Sequence, residues 1–215
     1  MKSLAKSLAF LLCVIFFYGF ISKNIAYNPQ PSQNSGKYKI KSGIVRMNIE
    51  TSMMKGTTKA TLYFDDYGKK ESTETMMDME MMGQKIKVHQ LTLIKGEYVI
   101  NVDLDKKMCT KMKIPSNLDP TKVNFENLTS EMIKEYNIKK EGSETVLGKK
   151  CDIYSMFHAQ SSTKGKVWVW NGISIKSEMN ASGINIKTTT TKIEENVQVP
   201  ASKFEVPSGI KIQEM

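Results

Sequence analysis

Between residues 38 and 105, and again between 150 and 193, apolar and polar side chains alternate with the period of a β-strand. Tyr38 to Ile49 reads as a first strand with Tyr38, Ile40 and Ile44 in phase. The phase then passes to Val45, Met47 and Ile49, which predicts a bulge or twist near Gly43. Thr57 to Asp65 sets Ala60, Leu62 and Phe64 on one face and Thr61, Tyr63 and Asp65 on the other. A turn at Asp66–Lys69 returns the chain to a strand over Lys70–Met82. Parity slips between Val88 and Leu91, which predicts a bulge or break around His89-Gln90. A turn at Lys95-Gly96 then pairs Leu93 with Tyr98 and Leu91 with Ile100, extending an apolar face through Val102 and Leu104.

The period changes after Ile114-Pro115. Phe125, Leu128, Met132, Ile133 and Tyr136 recur at helical spacing between the turn-like Asn117–Pro120 and Gly142. They predict one helix or two short ones, with an apolar stripe laid on the greasy face of the sheet. Lys150–Phe157 resumes as strand. Asn171-Gly172 between two alternating runs marks a two-residue hairpin with a type I′ turn. That turn opposes Trp170 to Ile173, Val169 to Ser174 and Trp168 to Ile175. It gathers Trp168, Trp170, Ile173, Ile175 and Met179 on one face; Val167, Val169, Ser174, Lys176 and Glu178 share the other, so the hairpin reads as half-buried. Ile184–Ile193, with its threonine run, is a further strand, and Pro200–Pro207 closes the domain. The expected fold is mainly β with minor α. It is a curved antiparallel sheet of eight or more strands, an unclosed barrel, with a helical segment over its concave apolar face.

The run V-W-V-W-N-G-I-S-I-K-S-E (Val167–Glu178), the Gly-containing strand after it and the terminal F-E-V-P-S-G-I (Phe204–Ile210) carry a resemblance. They are similar to the C-terminal half of the bacterial lipoprotein-carrier superfamily. That group takes in outer-membrane lipoprotein-sorting proteins, lipid-carrying lipoproteins of mycobacteria and secreted domains of unknown function; the nearest resemblance is to one of the last. It is good over the final third of the chain and looser from Tyr38 to Asp105. It implies an unclosed barrel capped by helix. Carriers of this kind begin with an amphipathic helix, whereas this chain has a polar, Pro-containing stretch, Tyr27–Gly36.

That stretch separates two unequal parts. Lys2 and Lys6 precede an uncharged apolar run, Leu8–Ile21, too short for an ordinary membrane span and fitting an export signal over residues 1–26. Cleavage near Ala26 is one reading; Asn24 is a poor match to the usual small residue, and an uncleaved anchor is the other. Residues 27–36 form a linker, and 37–215 suit a single domain. Such a chain is expected outside the cytoplasm, in the periplasm or an equivalent space. Without the signal the formal charge drops from +9 to +6, with 28 basic against 22 acidic residues. Arg46 is the only arginine, and the lysines are scattered among acids. This argues against nucleic acid and leaves room for attraction to an anionic envelope membrane surface. With Cys13 in the signal, Cys109 and Cys151 remain, and an even pair in an exported chain reads as a disulfide, the alternative being two buried thiols.

Candidate chemistry is sparse. No metal, nucleophile-elbow or phosphate-loop motif occurs, no cofactor is implied, and His89 and His158 are lone imidazoles. Enzymatic activity ranks last among the functions this chain suggests. The unusual feature is Met76–Met82, five methionines in seven residues. It admits three readings: core filler, a pliable surface for acyl chains, or soft ligands for Cu(I) or Ag(I) using Met77, Met79, Met81 and His89. The leading expectation is an exported, non-enzymatic binding protein that takes a lipid or a lipoprotein acyl chain into the sheet. Its cavity is expected to be lined by Leu62, Phe64, Met77, Met79, Leu93, Tyr98, Ile100, Trp168, Trp170, Ile175, Met179, Ile184 and Ile186. The rivals are a soft-metal buffer and a structural envelope module with a filled core. Oligomeric state is not legible.

Overall fold

The computed structural model describes residues 36–214 apart from 54, 82–83, 114–124 and 126–127. The expected signal peptide and nearly all of the linker lie outside the described residues. In chain order the elements are β1 (Gly43–Thr51), β2 (Lys55–Asp65), β3 (Lys70–Met81), β4 (Gln84–Lys95), β5 (Tyr98–Asp103), β6 (Met108–Lys113), α1 (Ser130–Glu135), β7 (Lys139–Val146), β8 (Lys149–His158), β9 (Thr163–Trp170), β10 (Ile173–Ala181), β11 (Ile184–Glu195) and β12 (Lys211–Glu214). Among the described residues all twelve strands join one open sheet, in the order β12-β6-β5-β4-β3-β2-β1-β11-β10-β9-β8-β7. Only β12 runs parallel to its neighbour, β6. This is the expected curved sheet, unclosed and mainly β, with one minor helix.

Register assigns the faces. Opposed residues of antiparallel strands share a face, so Val45, Leu62 and Thr73 lie together, as do Met47, Ala60 and Thr75, and Ile49, Thr58 and Met77. The same inner face continues through Thr190, Thr188 and Ile186 on β11 to Ser177 and Met179 on β10. Strand β4 shows why the sequence pattern misled. It pairs with β3 without interruption from Gln84 to Ile94, so there is no bulge at His89-Gln90. Its Val88 opposes Met77 on the inner face, while Leu91 and Leu93 are buried on the outer face. The strand is regular, with apolar residues half-buried on the inner face at its start and buried on the outer face further on. The β4–β5 hairpin pairs Leu93 with Ile100 and Lys95 with Tyr98, two residues away from the expected register, because Gly96-Glu97 forms the turn.

Bulges lie elsewhere. The β1–β11 ladder jumps from Arg46↔Lys192 to Met47↔Thr190, leaving Thr191 unopposed, instead of breaking near Gly43. On β10 the ladder with β9 jumps from Ser174↔Val169 to Lys176↔Trp168, so Ile175 is the extra residue. Asn171 (φ 50°) and Gly172 (φ 81°) make the expected turn, and Trp170 faces Ile173 as anticipated. Below the bulge the alternation is reversed. Trp168 therefore meets Lys176, and Met179 faces Gly165 on the side of Val167 and Val169, away from the tryptophans. Pairing of β10 with β11 also ends at Lys176↔Thr189. The freed end of the hairpin closes on the rest of the sheet: Trp168, Ile173 and Ile175 pack in one cluster with Val45, Leu62, Phe64 and Tyr38.

Strand β9 is consequently buried on both sides rather than one, since Val167, Trp168 and Val169 are all buried. Its valines pack with Met156, Tyr136 and Ile138 and with Phe125 and Leu128 of the helical segment. That segment thus covers the valine side, not the tryptophan side. Thr129 caps α1 by accepting from the Met132 amide at 3.2 Å. The helix stops at Glu135, short of the expected Glu141, because Asn137 turns left-handed (φ 43°) and the Ile138 amide reaches back to the Ile133 carbonyl at 2.9 Å.

Two clasps fasten the chain ends. Before β1, Lys37 Nζ donates to both oxygens of Glu71 (2.8 and 3.1 Å), and the Tyr38 hydroxyl donates at 2.6 Å. After β11, the chain crosses the outer face to reach β12, laying Val206 and Ile210 over Leu91, Leu93, Ile100 and Val102. Lys203 on this strap donates to Glu74 at 2.9 Å, and His89 Nε2 lies 2.8 Å from the other Glu74 oxygen. Burial pushes the Glu74 carboxyl up, but hydrogen bonds from Lys203 and His89 outweigh it and hold the group below the ordinary range.

Cys109 and Cys151 are free thiols, which corrects the expected disulfide. They sit on β6 and β8 with eight strands between them, and in separate clusters, Cys109 beneath the strap and Cys151 beside Trp168. The even count said nothing of that separation.

Two measurements check these features. A carboxyl depressed in the folded state gives stability above its unfolded pKa of about 4.3, and loses it as pH falls through the lower folded value. Urea midpoints taken from about pH 6 to about pH 3 should therefore fall less steeply in Glu74→Gln than in wild type. Burial also pushes both thiols up, so in native protein neither Cys109 nor Cys151 should react with a maleimide. After denaturation without reductant, peptide mapping should find both labelled; a native Cys109–Cys151 crosslink would contradict the structure.

Candidate functional site

The inner face ends in an open groove of about 760 Å³ formed by strands β8 to β11 and the end of β1. Its floor is one cross-strand row. Met156 opposes Gly165, Gly165 opposes Met179, Met179 opposes Ile186 and Ile186 opposes Thr51. The residues flanking this row complete the lining, among them Lys164, Lys166 and Lys187, Glu50 and Glu178, and Asn180 and Asn185.

Gly165 fits because the opposing side chain needs the space. A Cβ at this position would run into the Glu178 carbonyl oxygen and the Met179 sulfur. Met179 is half-buried while Met156 and Ile186 are buried, so its thioether is the most accessible apolar group of the row. Thioether chains are unbranched and polarizable, and they re-pack around irregular apolar partners. Of the flanking charges, Glu178 is engaged by Lys176 at 3.6 Å. Alternation sends Lys166, Glu178, Lys187 and Glu50 to the opposite face of the sheet from the floor row, where basic and acidic residues oppose one another, so they contribute backbone rather than charge to the groove.

The residues expected to line one cavity are distributed over several places. Leu62, Phe64, Trp168 and Ile175 are buried together, with Trp170 packed against them, in a cluster filled by the protein's own side chains. The tryptophans are held there by polar partners too. Trp168 Nε1 donates to Glu144 at 2.6 Å and its ring lies under Lys176 Nζ at 3.8 Å, while Lys149 Nζ stands 4.6 Å from the Trp170 ring. Leu93, Tyr98 and Ile100 belong to the outer face, under the C-terminal strap. Met77 and Met79 are buried on the inner face, with the Thr58 hydroxyl 3.4 Å from the Met79 sulfur. Ile184 is half-buried at the end of β11. Met179 and Ile186 are the two that reach the groove.

The soft-metal set is not brought together. Met77 and Met79 share the inner face, whereas His89 opposes Met76 on the outer face and is held by Glu74. The Met81 side chain lies outside the described residues. Among the described residues no group of three His, Cys, Asp or Glu side chains is arranged to hold a metal ion. What sequence reading missed was the role of Gly165 and Met156. Their signal, a glycine directly across from a methionine, becomes visible only once the Ile175 bulge sets the register.

Comparison with known proteins bears on the fold. No curated protein matches the chain. Among solved structures, an uncharacterized conserved protein from Thermus thermophilus superposes with a TM-score of 0.53 at 6% identity, over 82% of this chain and 92% of that one. The Pseudomonas aeruginosa MucA/MucB complex gives 0.48 at 8% identity over 82% of this chain and 59% of that one. Mycobacterium tuberculosis lipoprotein LppX gives 0.40 at 12% identity, over 75% and 91%. At these identities likeness speaks of fold alone. The family model that matches, over residues 42–178, is the one described as a domain of unknown function, DUF4412. Spanning β1 to most of β10, that match makes the chain a member of the DUF4412 family.

Proposed function

We propose that this protein is an exported, non-enzymatic binding protein that takes a lipid or an acyl chain through the groove onto the inner face of its sheet. The observation that carries this reading is the open row Met156–Gly165–Met179–Ile186, apolar and methionine-rich. Its volume falls within the roughly 300–1,000 Å³ of ordinary small-molecule sites. Burial of apolar surface is worth about 0.8 kcal/mol per methylene. Ten methylenes would gain about 8 kcal/mol, and association takes back roughly half of that or more, so a cargo is held and released reversibly.

The solved relatives give this reading a context, since one of them is named as a lipoprotein. The apolar N-terminal run supports export, into the periplasm or an equivalent compartment. The excess of lysine over acidic residues supports approach to an anionic membrane, from which a lipid or an acylated lipoprotein would be taken.

Displacement of a dansyl-labelled fatty acid tests the reading. Wild-type protein should bind the probe and release it to unlabelled lipid. Met179→Glu places a charge on a half-exposed position, so it should fold normally and bind at least about tenfold more weakly. Equal affinity in the two proteins would remove the groove from the account. No binding by delipidated wild type would leave a secreted β scaffold.

A further inference from the structure

Beyond the groove floor the inner face turns hydroxylic. Ser177 and Thr188 oppose each other on β10 and β11, one inner-face step from the Met179–Ile186 pair. Thr190 is the next residue on the same face of β11, opposite Met47. All three are nearly sealed from solvent, at 4%, 6% and 2% exposure, and none of their hydroxyls has a hydrogen-bond partner among the described residues. Strand geometry places opposed side chains about 5 Å apart and successive ones on a face about 7 Å apart, so the hydroxyls form one patch beside the groove. Their opposed neighbours, Val167, Ile49 and Met47, bring no side-chain oxygen.

A buried hydroxyl without a partner is destabilising, and each such group in a folded protein calls for an explanation. Valine would fill the space of either threonine without that penalty. Three adjacent unpartnered donors, on a face that also carries Met47, Met77 and Met179, are matched to a ligand that is mostly apolar and carries acceptor oxygens. The spacing fits one class. With a headgroup left at the mouth of the groove beside Met179, the first acceptors of a glycerol-linked chain fall about one strand step further in, and the tail continues along the row of Ile49, Thr58 and Met77.

We infer that Ser177, Thr188 and Thr190 donate hydrogen bonds to the ester carbonyls of an acylated glycerol, and that the protein selects ester-linked chains over purely hydrocarbon ones. This rests on the binding reading above and specifies its ligand. The ester group is shared by glycerolipids and by diacylglyceryl-modified polypeptides. Because the hydroxyls are closed off from solvent, the ligand reaches them when the inner face opens from the groove side.

The test uses the delipidated full chain and phosphatidylglycerol in two forms, diacyl ester and dialkyl ether, with equal chains and the same headgroup. Wild type should prefer the ester by about tenfold. The variant Ser177→Ala/Thr188→Val/Thr190→Val should bind both forms alike, with an unchanged affinity for the ether and an unfolding temperature at or above that of wild type. Should the triple variant fail to fold, Thr188→Val alone carries the comparison, with part of the preference lost. A diacylated lipopeptide run in parallel distinguishes the sources: tighter binding than phosphatidylglycerol identifies a lipoprotein cargo, weaker binding a glycerolipid. Equal affinity of wild type for ester and ether overturns the inference and leaves the groove reading standing. A folded variant that is less stable than wild type also overturns it, because the hydroxyls would then be satisfied within the protein. Binding of neither lipid defeats the groove reading itself.

Discussion

Two single-residue bulges, Ile175 on β10 and Thr191 on β11, govern what this sheet can do. In a strict ladder one residue too many sends every later side chain to the other face. Here the shift leaves Trp168, Ile173 and Ile175 to close the upper end of the sheet against Val45, Leu62 and Phe64. The lower half of β10 is placed in the opposite phase, so that Met179 comes to Gly165 on the valine side. The closed end and the open end follow from the same extra residues. Large aromatic anchors stabilise one end of the sheet, and the other keeps a methionine over a glycine where a ligand can enter.

The rest of the chain is arranged to protect faces that a sheet of twelve strands would otherwise expose. The helical segment covers Val167 and Val169, and the C-terminal strap covers Leu91, Leu93 and Ile100 on the opposite side. Charge ties the chain ends. Lys37 and Tyr38 hold Glu71 where the chain enters β1, and Lys203 holds Glu74 where the strap crosses β3. One edge of the sheet, β7, is polar along nearly its whole length and carries a bulge at Lys140/Gly142, which discourages pairing with another chain. With both faces and one edge so managed, the groove between β8 and β1 leaves Met179 half-exposed above an apolar floor.

Local signals in the sequence translated well. The Asn171-Gly172 turn, the alternation of β2 and the return through Asp66–Lys69 depend on neighbouring residues and appear as expected. Whatever depended on distant partners did not. The parity change in β4 looks like a bulge in one dimension, yet the strand is regular, with Val88 on the inner face and Leu91 and Leu93 on the outer face under the strap. Strand β7 (K-K-E-G-S-E-T-V) has no apolar rhythm because an edge strand buries almost nothing, and the helix forecast ran over its start. The cysteine pair was legible as a count but not as a distance across the sheet. Most consequential was Met179, placed with the tryptophans by counting from the turn, since nothing in I-S-I-K announces that Ile175 is supernumerary.

The central claim is one of place: apolar cargo enters beside Met179, and the tryptophan end is packed shut. Photo-crosslinking with a diazirine-bearing fatty acid, followed by peptide mapping, examines that directly. Label should concentrate on the peptides that hold Met156, Met179 and Ile186 and be absent from Phe64 and Trp168. Label centred on Trp168 and Phe64, or on the outer-face residues Leu93 and Ile100, would contradict it.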